Sequence, residues 1–472
     1  MSVEPAFMSV ADLVAHYRAG SLSPVEAVKA CLAQIDAHDA RLNAFRMVAP
    51  EQALDAARRS EARWMRGEPC GLVDGVPTSI KDSHDVKGWS TLHGSMTTDP
   101  TKMATEDCPH VARLREHGAI FLGKTNLCEF GWKCVTDSPR TGVTRNPWNP
   151  AKTPAGSSGG AAVAAAMGMA AINMGGDGGG SIRMPAAFCG VFGIKPTYGR
   201  VPRYPQESLI KCSHFGPLTR SVGDAALAMN IITQPDARDV TALPCDDRDY
   251  PADLDGGLNG LRIAFSTRFG GVQPEPEIAD IIAAAVGQLE AYGAIVEEAD
   301  PDLGDTFEAY KVLNSAYQAP KVQDRSPDII AEMDALLVAN ARVGETLTVT
   351  DILSAGHQIG RWAERMTAFH RRYDALVTPT SPVSPFDVGS NNPSNLADSA
   401  ATGDHVYCLF NGYLYQANYT HQPAVSVPCG LTAEGLPVGL QIIGPKLSDA
   451  LLLRISRAVE RIHPIDHAKL VG

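Results

Sequence analysis

Residues 161–171 read Ala-Ala-Val-Ala-Ala-Ala-Met-Gly-Met-Ala-Ala, a run without one polar side chain. If such a run is helical, it has no face to offer water and must be buried inside a layered domain. Both of its flanks are rich in glycine and serine. Gly156, Ser157, Ser158, Gly159 and Gly160 precede it, and Gly175, Gly176, Asp177, Gly178, Gly179, Gly180 and Ser181 follow it. Glycine in an element interior costs roughly 0.5–1 kcal/mol relative to alanine. Five glycines in seven residues therefore call for a conformational reason.

The rest of the chain supplies layers to bury such a helix. Ser23, Pro24 and Glu26 form a capping box with proline at the first helical position, and Val25, Val28, Leu32 and Ile35 then fall on one face. A second helix is predicted over about 50–66, one over 277–292, and a last one carrying Leu451, Leu452, Ile455 and Val459. Strand-like runs occur at 119–122, 261–265, 294–296, 375–377, 424–427 and 438–443. Strands alternating with helices predict an α/β fold: a single large domain whose mixed β-sheet core is covered by α-helices on both faces. One domain over 1–472 is expected, because no repeat or low-complexity linker divides it. Residues 70–230, dense in Gly, Pro, Ser and Ala, read as the catalytic core segment. Residues 270–370 read as a more variable, mainly helical segment that shapes a substrate pocket.

Composition removes several function classes. Lys plus Arg number 41 and Asp plus Glu 53, a net charge of −12, with no dense basic patch, which argues against a nucleic-acid partner. No apolar run approaches the roughly 18 residues of a membrane span. The first residues, Met-Ser-Val-Glu-Pro, lack the pattern of a secretory signal. The ten cysteines are scattered and none forms Cys-x-x-Cys, which reads as reduced thiols in the cytoplasm. No His-Glu-x-x-His motif or zinc spacing is present, so neither a metal nor another cofactor is expected.

Chemistry must then come from side chains. A serine hydroxyl needs a base to become a nucleophile and donors to hold the oxyanion made on attack. Successive glycines let several backbone N–H groups converge on one point. The stretch ending at Ser181 thus reads as an oxyanion hole, as a plain tight loop with a capping serine, or as a phosphate cradle lacking the Lys that such loops carry. Ser158 also stands at the centre of Gly-x-Ser-x-Gly, but a loop-like segment precedes it where a nucleophile elbow demands a strand. Lys81 ends a short β-branched run and reads either as a surface strand-end lysine or as a buried base.

Taken together these segments closely resemble the amidase signature family. The match runs through Gly75-Val76-Pro77-Thr78-Ser79-Ile80-Lys81-Asp82, Gly123-Lys124-Thr125-Asn126 with Glu129-Phe130, and Asn146-Pro147-Trp148. It continues through Gly156-Ser157-Ser158-Gly159-Gly160, Gly179-Gly180-Ser181-Ile182-Arg183 and Lys195-Pro196-Thr197, and more loosely to Gly435-Leu436-Pro437. The resemblance implies a Ser–cis-Ser–Lys triad, with Ser181 as nucleophile, Ser157 as the serine at a cis peptide bond, and Lys81 as base. It further implies an oxyanion hole from the N–H groups of Gly178, Gly179, Gly180 and Ser181. Ser158, Asp177 and Arg183 are expected in support, the last two as a pair. Lys81 is then expected to be buried, with a lowered pKa and activity rising toward alkaline pH.

The activity so implied is hydrolysis of a C–N amide bond through an acyl-enzyme, extending to esters and carbamates (urethanes). The alternative within the family is the glutaminase-type subunit of a tRNA-dependent amidotransferase, and a further one is a binding protein that keeps the fold. A small-molecule amide, carbamate or ester is the expected partner, and a homodimer is left open. The pocket is expected from loops at about 130–136, 204–214, 310–330 and 385–415. Trp132, Tyr204, Tyr317 and Phe410 would make it apolar or aromatic. Three places depart from the family pattern: Ala155 replaces a glycine, Gly176 and Gly178 replace threonines, and residues 418–422 before Pro423 read Asn-Tyr-Thr-His-Gln where a glycine often stands.

Overall fold

Helices begin where their capping residues put them. Ser23 accepts the N–H groups of Val25 and Glu26, Glu26 returns the bond to Ser23 N–H, and the helix Pro24–Leu42 follows. The helix Pro50–Arg66 stops at Gly67, whose φ of 72° is left-handed. These are details of a computed structural model that describes residues 4–206, 210–245, 247–394 and 407–471.

The strands in chain order are β1 (Phe45–Val48), β2 (Pro77–Lys81), β3 (Ile120–Thr125), β4 (Asp137–Ser138), β5 (Gly142–Val143), β6 (Ile172–Asp177) and β7 (Phe192–Lys195). They continue with β8 (His214–Thr219), β9 (Arg262–Phe265), β10 (Ile295–Glu298), β11 (Ala375–Pro379), β12 (Ala424–Leu431) and β13 (Pro437–Ile443). Eleven of them form one sheet in the order β1-β3-β2-β6-β8-β7-β12-β13-β11-β9-β10, and β4 and β5 form a separate ribbon. The sheet is mixed: β2 runs parallel to both β3 and β6, whereas β8, β7, β12 and β13 pair antiparallel in turn. Helices flank it, and one domain results.

The apolar run behaves as its composition demands, over a shorter span. The helix Gly159–Ala166 has every residue buried. It ends before Gly168, where φ is +65°. Its alanines pack with Val28, Leu122 and Ile182 in one core cluster. The segment 304–370 is helical in pieces: Phe307–Gln318, Pro327–Ala331, Ala335–Glu345 and Val349–Phe369. No helix among the described residues is long and apolar enough to cross a membrane. All ten cysteines are free thiols, and only Cys70 and Cys245 are exposed.

Candidate active site

The order of the sheet brings the chemistry together. β2 lies between β3 and β6, and its Ile80 sits opposite Met174 of β6. Lys81 is the last residue of β2, and β6 ends at Asp177, so base and glycine loop leave the sheet at the same edge. Gly175 in β6 is required by close approach. A Cβ there would lie 3.0 Å from Ser158 Oγ and 2.6 Å from Leu218 Cδ1.

Lys81 is 3% exposed. Its Nζ lies 2.8 Å from Ser157 Oγ, 2.8 Å from Ser158 Oγ and 3.4 Å from the Gly176 carbonyl oxygen. Burial lowers its pKa to about 8, against smaller opposing effects of Cys128 and Asp177. The Gly156–Ser157 peptide bond is cis. Ser158 Oγ–H donates to the Gly176 carbonyl at 3.1 Å and accepts the Gly176 N–H at 3.3 Å. Ser158 N–H donates to the Ser181 carbonyl at 3.1 Å, tying the two serine segments together. Ser181 itself faces the cavity, and its Oγ bonds to no described residue.

Asp177 and Arg183 form an ion pair with neither side chain exposed. The Arg183 Nε donates to Asp177 Oδ2 at 2.9 Å, and Asn418 Nδ2 donates to Asp177 Oδ1 at 2.8 Å. Burial would raise the Asp177 carboxyl, but the Arg183 guanidinium and these bonds outweigh it and hold it far below the ordinary range. Asp177 also accepts the N–H of Gly180 at 2.7 Å and of Ile182 at 3.2 Å. Of the four amides expected to form an oxyanion hole, one is already engaged. The Gly180 amide is committed to a carboxylate, whereas the amides of Gly178, Gly179 and Ser181 have no acceptor among the described residues.

A cavity of about 260 Å³ opens over Lys81, Ser157 and Ser181. Phe130, Trp132, Tyr310 and Tyr317 line it, together with Asn411 beside the glycine loop. Tyr204 and Phe410 do not line it. The Tyr204 ring carries the Arg238 guanidinium 5.1 Å from its centroid. Phe410 is fully buried and packs on Phe188 and Phe386. Of the expected pocket loops, residues 207–209 and 395–406 lie outside the described residues. Tyr310 and Asn411 fall within the expected pocket segments 310–330 and 385–415, whereas the sequence reading missed His84 as a cavity residue. His84 follows Lys81 by three residues at a strand exit, which is a usable clue. Among the described residues no three His, Cys, Asp or Glu side chains are grouped to hold a metal ion.

The geometry has close counterparts. The chain is 33% identical to one subunit of the glutamyl-tRNA(Gln) amidotransferase of Alkaliphilus metalliredigens, over 96% of both chains. It is 33% identical to an acylamidase of Rhodococcus erythropolis, over 97% of this chain and 96% of that one. The crystal structure of a bacterial aryl acylamidase of the amidase signature family superposes with a TM-score of 0.90 at 30% identity, covering 98% of this chain and 97% of the other. Residues 26–453 match the family model for amidases. With sequence and fold in agreement almost end to end, this chain belongs to the amidase family, that of the amidase signature enzymes.

Proposed function

We propose that the protein is a serine hydrolase that cleaves the C–N bond of small amides through an acyl-enzyme on Ser181, with Ser157 as proton relay and Lys81 as base. The observation that carries this reading is the 2.8 Å contact of a fully buried lysine with Ser157 Oγ, beside a second serine that faces the cavity. A neutral amine has two N–H donors and one lone pair. Ser158 Oγ and the Gly176 carbonyl are positioned to take the two donors. The lone pair is then left for the Ser157 hydroxyl proton. Ser158 cannot exchange roles with Ser157, because its own proton is given to Gly176.

In this mechanism Ser181 Oγ attacks the amide carbon while its proton moves to Ser157 Oγ, whose own proton moves to Lys81 Nζ. Gly178, Gly179 and Ser181 donate their N–H groups to the developing oxyanion. Lys81 returns its proton through Ser157 to the leaving nitrogen, and the C–N bond breaks. Water then attacks the acyl-enzyme by the same relay in reverse, freeing acid and Ser181. Esters and carbamates offer the same carbonyl and a leaving group, so the machinery serves them too.

The aromatic lining from Phe130, Trp132, Tyr310 and Tyr317, with the likeness to acylamidases, favours aryl or apolar amides. A second reading, glutamine hydrolysis in complex with a partner protein, rests on the similarity to glutamyl-tRNA(Gln) amidotransferases. The test is turnover of anilides, esters, carbamates and glutamine by the isolated chain and by Ser181→Ala. Anilide turnover lost in Ser181→Ala supports the proposal. Glutamine hydrolysis that depends on an added partner protein supports the second reading. Undiminished turnover by Ser181→Ala refutes both.

A further inference from the structure

His84 is 2% exposed, yet it lines the cavity that holds Lys81 and Ser181. Its Nδ1 lies 3.1 Å from His110 Nε2. Its Nε2 has no hydrogen-bond partner among the described residues. That nitrogen borders the end of β6, and a Cβ on Gly176 would come within 3.3 Å of it. The ring is clamped between His110 and Phe215, with centroids 4.7 and 4.4 Å away. A buried polar atom without a partner is rare in a folded protein, and one fixed so firmly beside a reactive centre calls for a ligand.

The contact between the two rings carries one proton, on His110 Nε2 or on His84 Nδ1. Cys108 Sγ, 3.8 Å from His110 Nδ1 and 3.6 Å from His110 Nε2, lies beside the ring and fixes neither. With that proton on His110 Nε2, the proton of His84 sits on Nε2. Burial keeps both rings far below the usual histidine range, so both are neutral.

We infer that His84 is a specificity-determining residue: its Nε2–H donates a hydrogen bond to an acceptor oxygen on the part of the substrate lying along Gly176 and Phe215. The substrate class becomes an amide or carbamate that carries, besides its scissile carbonyl, an ether or carbonyl oxygen. This rests on the reading of Ser181 as nucleophile. The opposite side of the glycine loop, at Gly179, meets Tyr310 and Tyr415. The glycine loop thereby faces aromatic rings at Gly179 and the His84 imidazole at Gly176.

The test uses two pairs of anilides of nearly equal shape. Butyranilide and methoxyacetanilide differ by one ether oxygen on the acyl side, and 4-ethylacetanilide and 4-methoxyacetanilide by one on the amine side. Wild-type enzyme is expected to prefer the ether in one pair by about 5- to 10-fold in kcat/KM, the scale of one neutral hydrogen bond. His84→Phe should abolish that preference through KM, raising KM for the ether more than for the alkyl substrate. His84→Gln, whose amide nitrogen reaches the place of Nε2, should keep most of it. An equal loss on both members of each pair, or no ether preference in the wild type, overturns the inference, and the wild-type ratios are readable even if a variant fails to fold. Retained turnover in Ser181→Ala would instead overturn the active-site reading on which it rests.

Discussion

Asp177 Oδ1 accepts the Gly180 N–H at 2.7 Å while the same carboxylate holds Arg183, so one buried charge pair sets the shape of the glycine loop. Arg183 reaches further, to the Leu414 carbonyl at 3.0 Å and to Gln441 Oε1 and Asn418 Oδ1 at 2.6 Å each. The loop that carries Ser181 is thus fixed to β13 and to the helix Tyr415–Tyr419. Removing one partner of a buried pair costs about 3–5 kcal/mol, because the other charge is left uncompensated. Asp177→Ala should lower the unfolding free energy by about that much and reduce kcat at least about tenfold. Chemical denaturation and steady-state kinetics measure both. A variant with an unchanged midpoint and unchanged kcat would show that the pair does not shape the loop.

With Lys81 as the proposed base, both activity and stability should depend on pH. Its pKa near 8 means the amine is protonated below that value and cannot accept the Ser157 proton. The logarithm of kcat/KM should rise with unit slope below pH 8 and level off above it. Stability follows its own rule. Between about pH 8 and 10.5 the unfolded chain keeps a proton on this lysine that the folded chain has lost, so stability rises with pH across that window by roughly 3 kcal/mol. Lys81→Met should abolish turnover and flatten that gradient. A Lys81→Met enzyme that is active, or a wild-type profile level from pH 6 to 9, would refute the assignment.

Much of this was legible in the chain because the residues that matter are adjacent in sequence. Residues 156–181 carry both serines and the helix between them, and Ser181 meets Ser158 through a short local path. Lys81 was legible as a strand end, and its depth follows from the interior position of β2, between β3 and β6. The short strands β1, β6, β7 and β8 were not legible. β6 holds Gly175 and Gly176, which break the usual strand signature, and its extended form is imposed by β2 and β8 on either side. The use of the Gly180 amide was equally hidden, since it depends on where the Asp177 carboxylate points. The cavity wall was only half legible. Trp132 and Phe410 look alike in sequence, and only packing decides that the first meets the cavity and the second meets Phe386.

Ser158 and Ser157 both touch the Lys81 amine, but they should fail differently. Ser157→Ala removes the proton path and should cost on the order of 10³-fold in kcat. Ser158→Ala leaves the path and strips partners from the Lys81 amine and both backbone groups of Gly176. Unpaired buried groups cost about 1–3 kcal/mol each. Ser158→Ala should therefore lower stability measurably and cut kcat only about 10- to 100-fold. Equal losses of kcat in the two variants would contradict the division of roles.

Gly131 also lies against Ser157. Its φ is +68°, and a Cβ built there would lie 3.2 Å from Ser157 Oγ, tighter than ordinary contact. Gly131→Ala combines left-handed strain of roughly 1–2 kcal/mol with a push on the relay hydroxyl. Displacing a reacting group by a fraction of an ångström erodes catalysis steeply, so kcat should fall about tenfold or more while KM changes little. Gly88 supplies the control. Its φ is +83° with nothing within 4 Å of the built Cβ, so Gly88→Ala carries the strain without the contact. Both variants should lose similar stability in thermal unfolding. Only Gly131→Ala should slow turnover and the labelling of Ser181 by a phosphonate. Matching kinetics in the two variants would mean that Ser157 tolerates displacement, and the tight geometry around the relay would not matter to catalysis.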